Sequence, residues 1–192
     1  MFNGDVSKES FALSAMDYQR LALEVSVIYH CAGNVNFMAS MKDACDVNVG
    51  GIANVMAFAQ KARLKKVNHV STLSVVGHDH YVIEDIDLAP ISYVKSKVLA
   101  EHYLRNYREV REGLLVSRVG RIAGNSRTFV VPEQDLFWRL LVSIAQLGCC
   151  PDEFLPFETD LTPVDFIVEE LIKRTEASND NQVMNYFSKC MI

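Results

Sequence analysis

The chain has 192 residues, 49% hydrophobic and 22% charged, and a net charge of -5. This is the composition of one globular domain with a proper core, and the negative balance argues against a nucleic-acid or anionic-membrane binder, which needs excess Lys and Arg. No apolar run approaches the ~20 residues of a membrane-spanning helix, and Met1-Phe2-Asn3-Gly4-Asp5 lacks the basic start and apolar stretch of a signal peptide.

In chain order, Ser14 is placed to cap a helix over Ala15 to Glu24. Val25 to Ala32 is a continuous apolar run before Gly33, which predicts a strand buried on both faces. Asp43 to Lys61 reads as a helix and Val67 to Val76 as a second strand ending at Gly77. His78 to Pro90 is a polar loop, whose Glu84, Asp85 and Asp87 are either a solvated cluster or a site for a cation or basic partner. Tyr93 to Val110 is helical, with Val94, Val98, Leu99 and Tyr103 as its apolar stripe. Leu114 to Val119 is a third strand, Glu133 to Leu147 a helix containing Trp138, and Thr162-Pro163 the capped start of another helix. Gln182 to Ser188 reads as a last strand. No repeat or linker divides the chain.

Strands alternating with helices predict βαβ crossovers, and therefore an α/β fold with a parallel sheet covered by helices on both faces. Ligands of such sheets sit beyond the carboxyl ends of the strands. Five cysteines, Cys31, Cys45, Cys149, Cys150 and Cys190, show no metal spacing. Cys149 and Cys150 read as buried thiols at a helix end, with a redox pair as the alternative, and the compartment expected is a reducing cytoplasm.

The chemistry gathers at the strand ends. Tyr93 and Lys97 in Tyr93-Val94-Lys95-Ser96-Lys97 are one helical turn apart on one face. A phenol of pKa about 10 is a poor proton donor at neutral pH, and a nearby ammonium stabilises its phenolate. Such a tyrosine can protonate a carbonyl oxygen as hydride reaches the carbon. A hydroxyl from Ser71-Thr72-Leu73-Ser74, at the end of the second strand, would hold that oxygen. Tyr-x-x-x-Lys alone is common by chance; its position after a Ser/Thr-tipped strand and a loop gives it weight. Arg118 and Arg121, beside the third strand end, suit either a phosphate or a surface ion pair. His69 reads as a strand-packing residue, and no residue has the spacing of a metal site with His30.

The arrangement resembles the extended short-chain dehydrogenase/reductase superfamily. Within it the chain is most similar to the thioester reductase domains that terminate nonribosomal peptide synthetases and carboxylic acid reductases. The matching stretches are Gly4-Asp5-Val6-Ser7, Val27 to Phe37, His69-Val70-Ser71-Thr72-Leu73-Ser74-Val75, Tyr93 to Lys97, Gly120-Arg121-Ile122-Ala123-Gly124 and Asp160 to Asp165. The resemblance implies a Rossmann-type doubly wound sheet and a nicotinamide cofactor, NADPH with NADH as the alternative. It assigns Thr72 to orient the substrate carbonyl, Tyr93 as general acid, and Lys97 to act on Tyr93 and bind the nicotinamide ribose. Asp5 and Val6 would flank the adenine; His30, Cys31, Ala32 and Gly33 would form the turn beneath the cofactor; Asn48 would stand near the lysine. Ser71, Val119 and Ile122 complete the cofactor-binding set, although Val119 replaces a proline usual in relatives. The implied substrate is an acyl thioester on a carrier protein's phosphopantetheine arm, reduced to an aldehyde or alcohol. A sugar-nucleotide epimerase, a fatty acyl reductase and an inactive truncated chain are the alternatives.

The family binds pyrophosphate through a G-x-x-G-x-x-G turn. The sequence has no such motif. Residues 1–192 are therefore expected to form a single incomplete NAD(P)-binding domain, lacking a first βαβ unit and a C-terminal end. Weak cofactor binding is expected, as is an exposed sheet edge able to support self-association.

Overall fold

The computed structural model describes residues 1–77, 82–108, 112–150, 158–177, 181–186 and 189–191, with side chains left aside at 108, 158, 159, 186 and 189–191. A short 3-10 segment, Glu9–Ala12, precedes α1 (Ala15–Glu24), whose cap is Ser14: its Oγ accepts from the Asp17 amide at 3.1 Å and donates to the Asp17 carboxylate at 2.8 Å. Then come β1 (Val27–His30), α2 (Met41–Asn48) and α3 (Gly50–Ala59). The single helix expected over 43–61 is thus two. It starts earlier because Ser40 caps it, accepting from the Asp43 amide at 3.1 Å. It breaks at Val49–Gly50, where Gly51 lets Val6 pack at close range: a Cβ there would stand 3.2 Å from Val6 Cγ2.

β2 (Lys66–Thr72) leads through a 3-10 turn, Leu73–Val75, towards the loop, where Val76 bridges Val82. Positions 78–81 of the expected loop, 109–110 of the expected helix and 187–188 of the last strand lie outside the described residues. Beyond the loop stand α4 (Ser92–Arg108), β3 (Leu114–Val119), β4 (Ile122–Ala123) and α5 (Leu136–Leu147). Asp135 caps α5 by accepting from the Phe137 amide at 2.9 Å, so this helix begins later than Glu133. β5 (Glu158–Asp160), β6 (Thr162–Pro163), α6 (Val164–Ala177), β7 (Gln182–Tyr186) and β8 (Lys189–Met191) complete the chain. Thr162-Pro163 is a strand rather than a helix opening, because the Thr162 amide donates to the Arg121 carbonyl at 3.0 Å and pairs β6 with β4.

The main sheet is parallel, in the order β1-β2-β3-β7, with helices on both faces, as a Rossmann-type fold requires. On one face Val67, Leu114 and Val116 pack against Ile52, Met56 and Ala59 of α3 and Ala100 and Leu104 of α4. On the other, Val70, Val119 and Met184 pack against Ile167 and Leu171 of α6. Asn68 on this second face is held by Thr175 and Ser117 at 2.8 Å each, so its burial leaves no polar group open. Phe11 joins α1 to α3 by ring contacts with Tyr18 and Phe58.

Two expectations need correction. β1 is not covered on both sides: Val27 and Tyr29 are 36% and 40% exposed, since β1 is an edge strand of the described sheet and only the alternate residues turn inward. Cys149 is not a buried thiol; it emerges exposed past the end of α5. Among the described residues no helix is long and apolar enough to cross a membrane.

Leu104 is fully buried between α4 and the sheet. Leu104→Ala should therefore destabilise the fold by about 2–5 kcal/mol, read as a lower urea midpoint. A loss of only a few tenths would mean that α4 does not pack as described.

Candidate active site

The carboxyl end of β2 and the first turns of α4 bring the Ser/Thr segment and the Tyr-x-x-x-Lys pair together. Thr72 ends β2; its hydroxyl accepts from the Ser74 amide at 3.2 Å, and the residue lines the same cleft as Tyr93. Burial pushes the Tyr93 phenol above its ordinary pKa, and the neighbouring Thr72 hydroxyl pulls it partly back. One turn on, Lys97 is only 6% exposed, and its Nζ donates to the Val70 carbonyl at 2.8 Å. Desolvation lowers its pKa to about 8, against the opposing attraction of Glu101 and Cys31.

Asn48 anchors the turn after β1. Its Oδ1 accepts from the Asn34 amide at 2.7 Å, and its Nδ2 donates to the Asn34 carbonyl at 3.1 Å and to Ser96 Oγ at 2.8 Å. Ser96 in turn donates to the Tyr93 carbonyl at 2.7 Å. Asn48 is therefore a buried cross-link from α2 to the start of α4, not a solvent-exposed helix residue. Gly33 lies against this link: a Cβ there would meet Asn48 Oδ1 at 3.1 Å and Lys97 Nζ at 4.0 Å. Only a glycine leaves the backbone open beside the lysine.

Two clefts flank this centre. One, of about 680 Å³, is lined by Thr72, Ser74, Tyr93 and Phe37 together with Arg121, Ile122 and apolar residues of the segment before α5. Gly120 forms part of its wall, and a Cβ there would collide with the Asp160 carboxylate. The other, of about 430 Å³, is lined by Val6, His30, Cys31 and Ala32 with Phe11, Tyr29 and Phe58. Asp5, beside Val6, accepts from the Ser7 amide and hydroxyl at 2.9 and 2.7 Å.

Three sequence candidates sit away from the clefts. Ser71 is 2% exposed and donates to Glu101 at 2.6 Å. Val119 is buried against α6. Arg118 is not in a surface ion pair; it forms a buried pair with Glu101 at 2.7 Å, because β3 points it at α4. Arg121 instead lies over the Phe137 ring, 4.5 Å from its centre. The acidic loop cluster faces its own chain: Glu84 meets Arg105 at 2.8 Å and Asp87 meets Lys95 at 3.4 Å. Among the described residues no group of three or more His, Cys, Asp or Glu could hold a metal.

Sequence reasoning missed the pairing of His30 with His69 and the role of Glu101. The two imidazoles, in register on β1 and β2, have ring centres 5.2 Å apart. Neither nitrogen of His69, nor His30 Nε2, has a hydrogen-bond partner. Only the run of polar residues at alternate β2 positions, His69 then Ser71, signalled that this sheet face turns polar towards its end.

The parallel sheet covered by helices on both faces defines a Rossmann-type α/β fold, and its strand ends carry the hydroxyl, the tyrosine and the lysine, with a glycine beside the lysine. The chain belongs to the Male sterility protein family, which it matches over residues 1–171. It is 31% identical over 179 residues to a linear gramicidin synthase of Brevibacillus parabrevis, covering 88% of this chain and 4% of that protein. It is also 31% identical over 189 residues to the nonribosomal peptide synthetase asaC of Aspergillus flavus, covering 90% of this chain and 18% of that protein. Among solved structures, the terminal R domain from the myxalamid PKS-NRPS biosynthetic pathway superposes with a TM-score of 0.84 at 28% identity, over 97% of this chain and 50% of that one. A UDP-galactose 4-epimerase, at 16% identity and a TM-score of 0.68, shares the fold. The chain thus spans half of that R domain and a small part of its curated relatives.

Burial lowers the pKa of His30 from 6.5 to about 4 and that of His69 further below its ordinary value, with the Lys97 charge adding to both. The unfolded chain takes up these protons at higher pH than the folded one. The stability this gives is complete above about pH 6.5 and lost as pH falls towards 4. His30→Leu should therefore reduce the stability lost between pH 7 and pH 5 by about 2 kcal/mol, measured by urea unfolding at the two pH values. An unchanged difference would contradict the burial of a neutral imidazole.

Proposed function

We propose that the chain is part of an NAD(P)H-dependent reductase domain that acts on an acyl or peptidyl thioester carried by a phosphopantetheinyl carrier protein, giving an aldehyde or alcohol. The observation that carries the proposal is that Thr72 and Tyr93 together line a largely apolar cleft of about 680 Å³, with Lys97 one turn behind Tyr93. The two relatives, a gramicidin synthase and a nonribosomal peptide synthetase, support the carrier-bound substrate.

The residues present suit the nicotinamide end of the cofactor. Gly33 leaves room beside Lys97, and Ala32, Cys31, His30 and Val6 line the adjoining cleft. Bound there, the cofactor would supply the hydride. Thr72 and Tyr93 would grip the thioester oxygen as charge develops on it, a contact that strengthens towards the transition state. Tyr93 would deliver the proton, and the charged Lys97 would stabilise the phenolate left behind; cleavage of the C–S bond would then release the aldehyde and the carrier's phosphopantetheine thiol. Asn48 would hold the turn after β1 and the start of α4 in register through Asn34 and Ser96. Asp5, Ser71, Val119 and Ile122 remain proposed as cofactor-side residues, Ser71 and Val119 from within the core.

Residues 1–192 are proposed as one incomplete domain whose pyrophosphate-binding unit is not encoded within them, and NADPH as the favoured cofactor. The chain alone should then bind NADPH only weakly; titration calorimetry giving micromolar or tighter affinity would refute this. Joined to a G-x-x-G-x-x-G unit, Tyr93→Phe should lower kcat/KM for a carrier-bound thioester by about 10²–10⁴-fold. Parent activity on free aldehydes or sugar nucleotides but not on the thioester would reject the substrate proposed.

A further inference from the structure

Glu101 is a carboxylate with 7% exposure, one turn beyond Lys97 on α4, and nothing in the chemistry above uses it. Its surroundings are built for a charge. It accepts from Ser71 Oγ at 2.6 Å, from Arg118 Nε at 3.0 and 3.1 Å, and from Arg118 Nη2 at 2.7 Å. One carboxylate therefore ties α4 to β2 and β3 at the level of the active site. Ser71 precedes Thr72, and Lys97 lies on the same helix face as Glu101. We propose that Glu101 is a positioning residue of the reductase site: clamped by Arg118 and Ser71, it sets the Thr72 end of β2 against α4 and supplies the counter-charge of Lys97.

The groups around Lys97 leave this role to Glu101. β1 and the turn after it present His30 and Cys31, and β2 presents His69 and the Val70 carbonyl. α4 itself carries Tyr93 and Glu101, and β3 brings Arg118 behind the carboxylate. Both imidazoles are neutral, burial holds the Cys31 thiol in its protonated form, and Arg118 has the same sign as the lysine. Glu101 is the anion of the set. A buried cation without an anion shifts towards its neutral form, which could not support Tyr93.

The assignment takes its purpose from the reductase reading, but its test does not use turnover. In the 192-residue chain with ¹³C-labelled lysine, the Lys97 Cε signal, identified by its loss in Lys97→Met, is followed against pH. The parent should titrate near pH 8. Glu101→Gln should move the midpoint down by about one pH unit or more, because the remaining Arg118 repels the lysine. Glu101→Gln/Arg118→Met removes the arginine that the single variant leaves buried and unpaired, so it keeps the test available where the single variant does not fold; its midpoint should move down by less, because no second cation repels the lysine. A purely structural tie would lower the unfolding temperature and leave the lysine titration where it was. An unchanged Lys97 midpoint in a folded variant overturns the proposal, whatever the enzyme reduces.

Discussion

The fold is organised around a lysine ammonium taken out of water. Lys97 is 6% exposed, and an unpaired charge at that depth costs several kcal/mol. A hydrogen bond and a nearby opposite charge offset the cost. The Val70 carbonyl, near the end of β2, accepts one Nζ proton; the Glu101 carboxylate provides opposite charge; and Arg118 holds that carboxylate in place. Each belongs to a different element, so the lysine is comfortable only when β2, β3 and α4 stand as they do. The Thr72–Tyr93 contact then follows from geometry, since Thr72 is two residues beyond Val70 and Tyr93 one turn before Lys97.

That requirement shapes the sheet face on which α4 lies. Along β2 the residues turned to this face are Val67, His69 and Ser71; along β3 they are Leu114, Val116 and Arg118. Both series run from apolar to polar towards the carboxyl end. The apolar members join Ile52, Met56 and Leu104 in the core, and the polar members receive Glu101 or stand beside Lys97. The opposite face follows a different logic. There Asn68, Ser117 and Thr175 form a neutral cluster, and the Lys66 ammonium donates to the Thr175 carbonyl at 3.3 Å near the end of α6. Stability and chemistry are therefore divided between faces as well as along strands.

Much of this was legible in the sequence because it is local. Ser14 before an amphipathic stretch, the apolar run of β3, and a Ser/Thr strand tip followed by Tyr-x-x-x-Lys depend on near neighbours, and the alternation of strands and helices led to the parallel sheet. What stayed hidden depends on distant partners. Nothing around Val25–Ala32 reveals that β1 lies at the sheet edge, so the apolar run read as doubly covered. Thr162-Pro163 has the composition of a helix start, but pairing with Ile122–Ala123, far away in sequence, makes it a strand. Arg118 looked like a phosphate or surface residue because its partner Glu101 sits on another element. The same distance concealed the His30–His69 pair, which exists only in the β1–β2 register.

This contrast also explains why catalytic identity is easier to read than binding. The proposed acid, the neighbouring hydroxyl and the lysine come from the tip of one strand and the next helix, and the Lys97–Val70 hydrogen bond ties that helix to the strand. The residues lining the second cleft come from the segment before α1, from β1 and the turn after it, and from α3, so their meeting is a property of the folded sheet. Gly33 connects the two regions. It continues the turn that borders the second cleft, and its missing Cβ leaves open a space 4.0 Å from Lys97 Nζ. A side chain there would press on Asn48 and, through Ser96, on the carbonyl of Tyr93 itself. Access for a ligand and the aim of the phenol are thus coupled through one glycine, and neither can change without the other.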